Sequence, residues 1–263
     1  MRFVRLVGLI AVAVCVLCCA LVGGAVASPP EYGRCLKAEK VGKEYKGKFS
    51  KSSCTVEVPV TERAKKGKYE WYPGAAKKGQ TSSGGKGILE EVGKNAVGCE
   101  SESSTGQYSG TKEGKNIVVK FKGCKSGGFI CTSEGHAAGE LETNVLEGRA
   151  VWENEAKQKT AIDLYPAAGG DGEFIAFTCG AALTVAVKGS ILVPIKPNKM
   201  SKTFALKFKA KHGFQTPEDY EEGGKKVEDV LLSDFSNKGY DQAGQNETVT
   251  VTNEEELELN AVV

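Results

Sequence analysis

Short runs rich in valine, isoleucine, threonine and aromatic residues, separated by glycine-bearing turns, are the feature that most restricts the fold of this chain. They recur from Gly87 onward without a sustained helical period. Phe204, Leu206 and Phe208 alternate with residues such as Lys207, so one face of that strand is predicted to be buried and the other hydrated. The clearest runs are residues 117–121, 146–152, 161–165, 173–179, 183–195, 203–209, 227–235 and 248–259.

This pattern, with 33 glycines available for turns and bulges, predicts an all-β fold. We expect an antiparallel sandwich or barrel of about a dozen strands with short connecting helices, rather than an α/β fold. One short helix is predicted at residues 217–222, because Thr216 is a suitable cap and two glycines follow. Residues 37–51 and 75–87 are predicted to be loops, since they lack regular apolar spacing.

The N-terminus has the pattern of a secretory signal peptide, residues 1–27. Arg2 and Arg5 precede an uncharged stretch, residues 6–27, which ends in the small-residue triplet 25–27. The alternative is an uncleaved membrane anchor, because the stretch is long enough to span a bilayer. The glycine pair before the triplet favours cleavage.

Six cysteines follow the predicted signal, and in an oxidising compartment they are expected to form disulfides. Fifteen pairings of six cysteines are possible. Short loops favour Cys35–Cys54 and Cys124–Cys131, which leaves Cys99–Cys179. Zinc binding is not expected, because no two of these cysteines have the close spacing of a zinc ligand pair.

Charge divides the mature chain into two parts. Removing the signal leaves 33 basic and 33 acidic residues, but residues 28–87 carry 14 Lys and Arg against 6 acids. We therefore divide the chain into a basic, cystine-closed N-terminal β extension, residues 28–86, and a main antiparallel β domain, residues 87–263. One continuous domain, residues 28–263, is the alternative.

The aromatic segment Tyr69, Trp71 and Tyr72 is the candidate ligand-binding site. Strand alternation places Tyr69 and Trp71 on one face and Tyr72 on the other. Exposed aromatic rings are flat platforms for sugars, and the lysines nearby would attract anionic groups. The alternative is that Trp71 packs in the core, as large aromatic residues usually do.

No constellation of residues predicts a catalytic site. Nucleophilic catalysis usually requires a histidine base, and the only histidines are His136 and His212, neither with a recognisable partner motif. Carboxylate pairs such as Asp171 with Glu173, or those within residues 254–256, would suit a glycoside hydrolase only if folding brought them to the required separation. No phosphate-binding loop or calcium loop is present, so no cofactor and no metal are expected.

Several motifs are spread over nearly the whole mature chain: residues 30–35, 69–74, 99–106, 123–124 with 131–133, 177–180 and 188–194. Together they resemble those of a group of uncharacterised secreted proteins of soil actinobacteria. The resemblance implies secretion and implies no activity, ligand or site.

These observations predict an extracellular or loosely surface-associated protein that is a non-enzymatic binding or structural module. The candidate partner is an anionic or neutral cell-wall polysaccharide. Nucleic acid is not expected as a partner, because the mature charge is balanced and the chain is exported, and no membrane association is expected after signal cleavage. A secreted carboxylate-dependent glycoside hydrolase is the alternative function.

Overall fold

A computed structural model describes residues 28–169, 172–181 and 183–260. The predicted signal peptide, residues 1–27, lies outside these residues. The described chain is almost entirely antiparallel β structure, with one 3₁₀ turn, Val60–Glu62, and one helical turn, α1 (Arg63–Lys66). The strands are β1 (Glu31–Lys37), β2 (Lys40–Val41), β3 (Glu44–Tyr45), β4 (Tyr69–Pro73), β5 (Gly79–Gly84), β6 (Gly87–Glu91), β7 (Ala96–Cys99), β8 (Ser101–Tyr108), β9 (Glu113–Lys122), β10 (Lys125–Ser126), β11 (Phe129–Thr132), β12 (Leu141–Glu142), β13 (Leu146–Asn154), β14 (Lys159–Pro166), β15 (Glu173–Cys179), β16 (Leu183–Gly189), β17 (Ile191–Pro194), β18 (Ser201–Phe208), β19 (Ala210–Lys211), β20 (Phe214–Gln215), β21 (Asp219–Glu222), β22 (Lys225–Glu228), β23 (Leu231–Phe235) and β24 (Asp241–Asn260).

Eight of these strands close into an antiparallel barrel. In order around the barrel they are β9, β8, β5, the second half of β24, β18, β17, β14 and β13, and β13 pairs back to β9. The contact between β17 and β18 is the bridge from Ile195 to Leu206. The all-β prediction is therefore confirmed. Of the two predicted architectures, sandwich and barrel, the structure contains a barrel.

A second ring of eight strands continues the first. Its order is β10, β7, β6, the first half of β24, β23, β16, β15 and β11, and β11 pairs back to β10. The chain passes almost directly between the rings at β5–β6, β7–β8, β9–β10 and β16–β17, while β24 belongs to both. The rings share one interior, because Leu164 and Phe208 pack against the core clusters of both.

The remaining strands lie outside the two rings. β1 pairs with the end of β24 on one side and with β4 on the other. The Cys35–Cys54 disulfide, Phe49 and Trp71 form a small separate core under this N-terminal segment. The β21–β22 hairpin covers another apolar cluster, in which Tyr220 packs with residues of the barrel wall.

Three disulfides are present, but two of the predicted pairings are wrong. The bridges are Cys35–Cys54, Cys99–Cys124 and Cys131–Cys179. The last four cysteines lie in one row: Cys99 on β7, Cys124 directly before β10, Cys131 on β11 and Cys179 on β15. The predicted Cys124–Cys131 bridge would leave Cys99 and Cys179 three strand spacings apart, roughly 14 Å, which no disulfide spans.

Three local predictions are also corrected. Residues 217–222 form no helix; they lead into the β21–β22 hairpin. Residues 75–87, predicted to be a loop, contain β5, a wall strand of the barrel. Residues 37–51, also predicted to be a loop, contain the β2–β3 hairpin. Within the described ranges, no helix is long and apolar enough to cross a membrane.

Candidate functional site

The barrel interior contains a cavity of about 150 Å³. Most of its lining is apolar, and large side chains such as Phe174, Phe204 and Leu164 are only partly buried although they pack against the core clusters. Strand alternation directs one face of each wall strand inward. These side chains therefore form a preformed apolar enclosure inside the fold.

Two glutamates face this cavity. Glu102 on β8 is 6% exposed and Glu247 on β24 is 8% exposed. Strand β5 lies between β8 and β24, with Gly84 opposite Glu102 on one side and opposite Val249 on the other. The two acidic side chains thus come from strands separated by a single strand that has small residues at this level.

Neighbouring polar groups satisfy one oxygen of each carboxyl group. The Ser82 hydroxyl lies 2.7 Å from Glu102 Oε1, and Gln245 Nε2 donates a hydrogen bond to Glu247 Oε2 at 3.0 Å. Ser82 also lies 2.6 Å from the Ser104 hydroxyl. The other oxygens, Glu102 Oε2 and Glu247 Oε1, are buried and have no hydrogen-bond partner among the described residues.

Burial changes the acidity of both groups. It raises the pKa of Glu247 to about 7; the Gln245 hydrogen bond opposes this increase and the Glu102 carboxyl adds to it. Burial also raises the pKa of Glu102, against the lowering effect of the Ser82 hydrogen bond. Near pH 7 Glu247 is therefore partly protonated, whereas an exposed glutamate would have lost its proton.

A second cluster of charged groups, with Asp163 buried and Arg149 partly exposed, lies outside the cavity, under the β21–β22 hairpin. Arg149 Nε donates to Asp163 Oδ2 at 2.7 Å, and its Nη2 donates to the Tyr220 hydroxyl at 2.6 Å. The guanidinium lies 5.3 and 5.2 Å from the ring centres of Tyr165 and Tyr220. Burial, with the nearby Asp163 carboxyl, raises the pKa of Asp229 to about 8. Both carboxyl oxygens of Asp229 are buried without a hydrogen-bond partner among the described residues. Because Arg149, Asp163 and Tyr220 bind one another and line no described cavity, we interpret these three residues as an anchor for the hairpin.

The three predicted aromatic residues do not share one exposed surface. Trp71 is 6% exposed and packs with the Cys35–Cys54 disulfide, with Tyr69 beside it. Tyr72 is 41% exposed. Trp71 thus packs in a core, as the alternative interpretation predicted. Ligand binding by this segment stays a prediction.

The other sequence candidates are dispersed. Glu173 is exposed on β15, and Glu254 and Glu256 are exposed on β24. Asp171 lies outside the described residues. His136 lines an open groove beside β15 and β16, with its Nδ1 3.9 Å from Glu142 Oε2. Among the described residues, no group of three or more His, Cys, Asp or Glu side chains is arranged to hold a metal ion.

Sequence analysis missed Glu102 and Glu247, although one signal was available. In β24, Val249 and Val251 alternate with exposed threonines, and this alternation places Glu247 on the buried face. An acidic residue at a buried position of an amphipathic strand indicates a site where the carboxyl group has a partner or keeps its proton. Comparisons of the chain with protein-family models, with curated proteins and with solved structures find no match.

Proposed function

We propose that the protein is a secreted, non-enzymatic binding protein that encloses a small, mainly apolar molecule in the barrel interior. Export is supported by the signal-like pattern of residues 1–27 and by three disulfides, which persist in oxidising compartments. The observation that carries the binding proposal is the apolar cavity. An apolar cavity of about this volume takes up benzene or xenon.

The chemistry of the lining sets the expected affinity. Transfer of apolar surface from water into the cavity contributes about 25 cal/mol per Å². A ligand the size of toluene has few atoms, and small ligands gain between about 0.3 and 1.5 kcal/mol per non-hydrogen atom. We therefore expect toluene to bind with a dissociation constant on the order of 10⁻⁴ M.

Binding is favoured over glycoside hydrolysis by the size of the enclosure. Glu102 and Glu247 are a carboxyl pair, as such an enzyme requires. The cavity of about 150 Å³ is, however, smaller than the roughly 300 to 1,000 Å³ typical of ligand pockets. A glycoside and an attacking water both need room between the two carboxyl groups. Wall polysaccharide likewise exceeds the size of this cavity.

Toluene binding to the mature, oxidised protein tests the proposal. Val119 on β9 lines the cavity, whereas its neighbour Val118 does not. Val119→Phe should fill part of the cavity and weaken toluene binding at least about tenfold, as measured by calorimetry. Val118→Phe is the matched control and should bind toluene as the wild type does.

Either of two results would reject the proposal. One is a wild-type protein that fails to bind toluene or a comparable small hydrocarbon. The other is equal binding by the wild type and by a folded Val119→Phe variant. Thermal unfolding monitored by near-UV circular dichroism establishes that each variant is folded, so a loss of binding is not confused with a loss of structure.

A further inference from the structure

The cavity has one polar wall and one apolar wall. Its acidic and amide side chains come only from β5, β8 and β24, which are neighbours in the barrel. The strands on the opposite side, β13, β14 and β17, contribute aliphatic residues and a glycine. The acidic and amide residues are Gln80, Glu102, Gln245 and Glu247. An enclosed ligand would therefore contact carboxyl groups at one side and hydrocarbon at the other.

Each carboxyl group is held in place while one of its oxygens is left without a partner. Ser82 and Gln245 bind Glu102 Oε1 and Glu247 Oε2, which fixes the orientation of both groups. Glu102 Oε2 and Glu247 Oε1 then have no donor among the described residues, although both side chains are more than nine-tenths buried. Buried polar atoms are nearly always hydrogen-bonded, so two such oxygens in one cavity need an explanation.

Glycines in the neighbouring strands make room for the Glu247 carboxyl. A Cβ atom at Gly84 would lie 3.0 Å from Glu247 Oε1 and 2.8 Å from a methyl carbon of Val249. A Cβ atom at Gly87 would lie 3.0 Å from the Glu247 carboxyl carbon. The wall of β5 and β6 is thus shaped around this acidic group, which a larger residue at either position would displace.

No described residue that lines the cavity carries a positive charge to balance the two acids. The residues that line the described cavity include no lysine, arginine or histidine, and the only carboxyl groups among them are those of Glu102 and Glu247. A buried carboxylate without a partner costs several kcal/mol, and an ammonium group would supply both the opposite charge and N–H donors. Hydrogen bonds to charged groups are about twice as strong as those between neutral groups.

Resting on the binding function proposed above, we propose that the ligand is a small organic cation. Its ammonium group binds the unpartnered oxygens of Glu102 and Glu247, and its apolar body contacts the opposite wall. A bound cation would account for three observations on the polar wall: the two acids, their unpartnered oxygens and the absence of cations among the described lining residues. The arrangement also predicts that protonation of the acids weakens binding, since neutral carboxyl groups lose the charge that attracts the ammonium group.

Benzylamine, benzyl alcohol and toluene are matched probes for this proposal. They share a benzyl body and differ in the polar group. At pH 8 we expect the wild type to bind benzylamine about tenfold or more tightly than benzyl alcohol. At pH 5 that ratio should fall towards one, because Glu247, whose pKa burial raises to about 7, is then protonated.

Two variants identify the carboxyl groups responsible for the preference for benzylamine. They are the double variant Glu102→Gln/Glu247→Gln and the single variant Glu256→Gln. The double variant should lose the preference for benzylamine. Glu256→Gln removes an exposed carboxyl from the same strand as Glu247 and should keep the preference. If the double variant does not fold, the pH dependence of the wild-type ratio still decides the question.

The possible outcomes separate the two proposals. Failure to bind toluene would reject the binding function itself. Toluene binding together with equal affinities for benzylamine and benzyl alcohol at pH 8 would reject only the organic cation. A preference for benzylamine that survives in the double variant, or stabilisation of the wild type by Ca²⁺ but not by benzylamine, would also overturn the assignment.

Discussion

Replacing Glu247 by glutamine should change how the stability of the protein depends on pH. Burial raises the pKa of Glu247 from 4.5 to about 7, so between these values the folded protein holds a proton that the unfolded chain has lost. Wild-type stability therefore falls as the pH rises through this interval. At about 1.4 kcal/mol per pH unit, the free energy of unfolding of the wild type should fall by about 3 kcal/mol over this interval. Glutamine has nearly the same shape and does not titrate, so Glu247→Gln should gain up to about 3 kcal/mol relative to the wild type between pH 4.5 and pH 8.

Urea unfolding of the mature, oxidised proteins at several pH values measures this difference. The quantity to compare is how the difference in unfolding free energy between wild type and variant changes with pH, because titrating groups that do not interact with Glu247 affect both proteins equally. Glu256→Gln, on the exposed face of β24, controls for the loss of one negative charge. A difference between Glu247→Gln and the wild type that stays constant from pH 4.5 to pH 8 would refute the reasoning.

Three further predictions concern the rest of the fold. Burial and a neighbouring carboxyl raise the pKa of Asp229 from 3.8 to about 8, so the free energy of unfolding of the wild type falls as the pH rises through that interval. In the same urea assay, the stability of Asp229→Asn relative to the wild type should therefore be greater at pH 9 than at pH 5. Peptide mapping of the unreduced protein should recover the three bridges described above. A peptide that links Cys124 to Cys131 would contradict the pairing of Cys99 with Cys124 and of Cys131 with Cys179. Gly33→Ala should lower stability by about 1–3 kcal/mol, because its methyl group would overlap the Trp71 indole, while Gly98→Ala, which has no heavy atom within 4 Å of the added carbon, should cost much less.

The fold class could be predicted because most wall strands have one apolar face. Residues 173–179 match β15 at both ends, since Ile175, Phe177 and Cys179 point inward and polar or small residues separate them. The run 183–195 was predicted as one strand, and the structure divides it into β16 and β17 at Ser190. Alternation thus predicts where strands lie, but not where a strand bends from one ring into the next.

Strand β5 could not be recognised from apolar alternation because its inward face is polar. Gln80 and Ser82 line the cavity, Gly84 has no side chain, and the residues between them are also small and polar. Such a strand has no hydrophobic face and is similar in composition to a loop. The segment that escaped prediction is therefore part of the polar wall of the candidate site.

The helix predicted at residues 217–222 failed because local signals were weaker than tertiary packing. Caps and flanking glycines favour a helical turn, but so short a helix has little stability of its own. As a strand, the segment buries Tyr220 against the barrel wall, where its hydroxyl accepts a hydrogen bond from Arg149. The disulfide pairing failed for a related reason: the order of strands in the second ring, not the length of the loops, decides which cysteines are adjacent.

Methyl NMR during a toluene titration shows whether the barrel interior receives a ligand. Leu164, Leu206 and Val119 line the cavity, whereas Val41 and Val60 are exposed on the surface. We expect the methyl signals of the first three residues to shift together and saturate at one affinity, while those of the two surface valines stay in place. Lining signals that do not move, or equal shifts at the surface valines, would contradict that expectation.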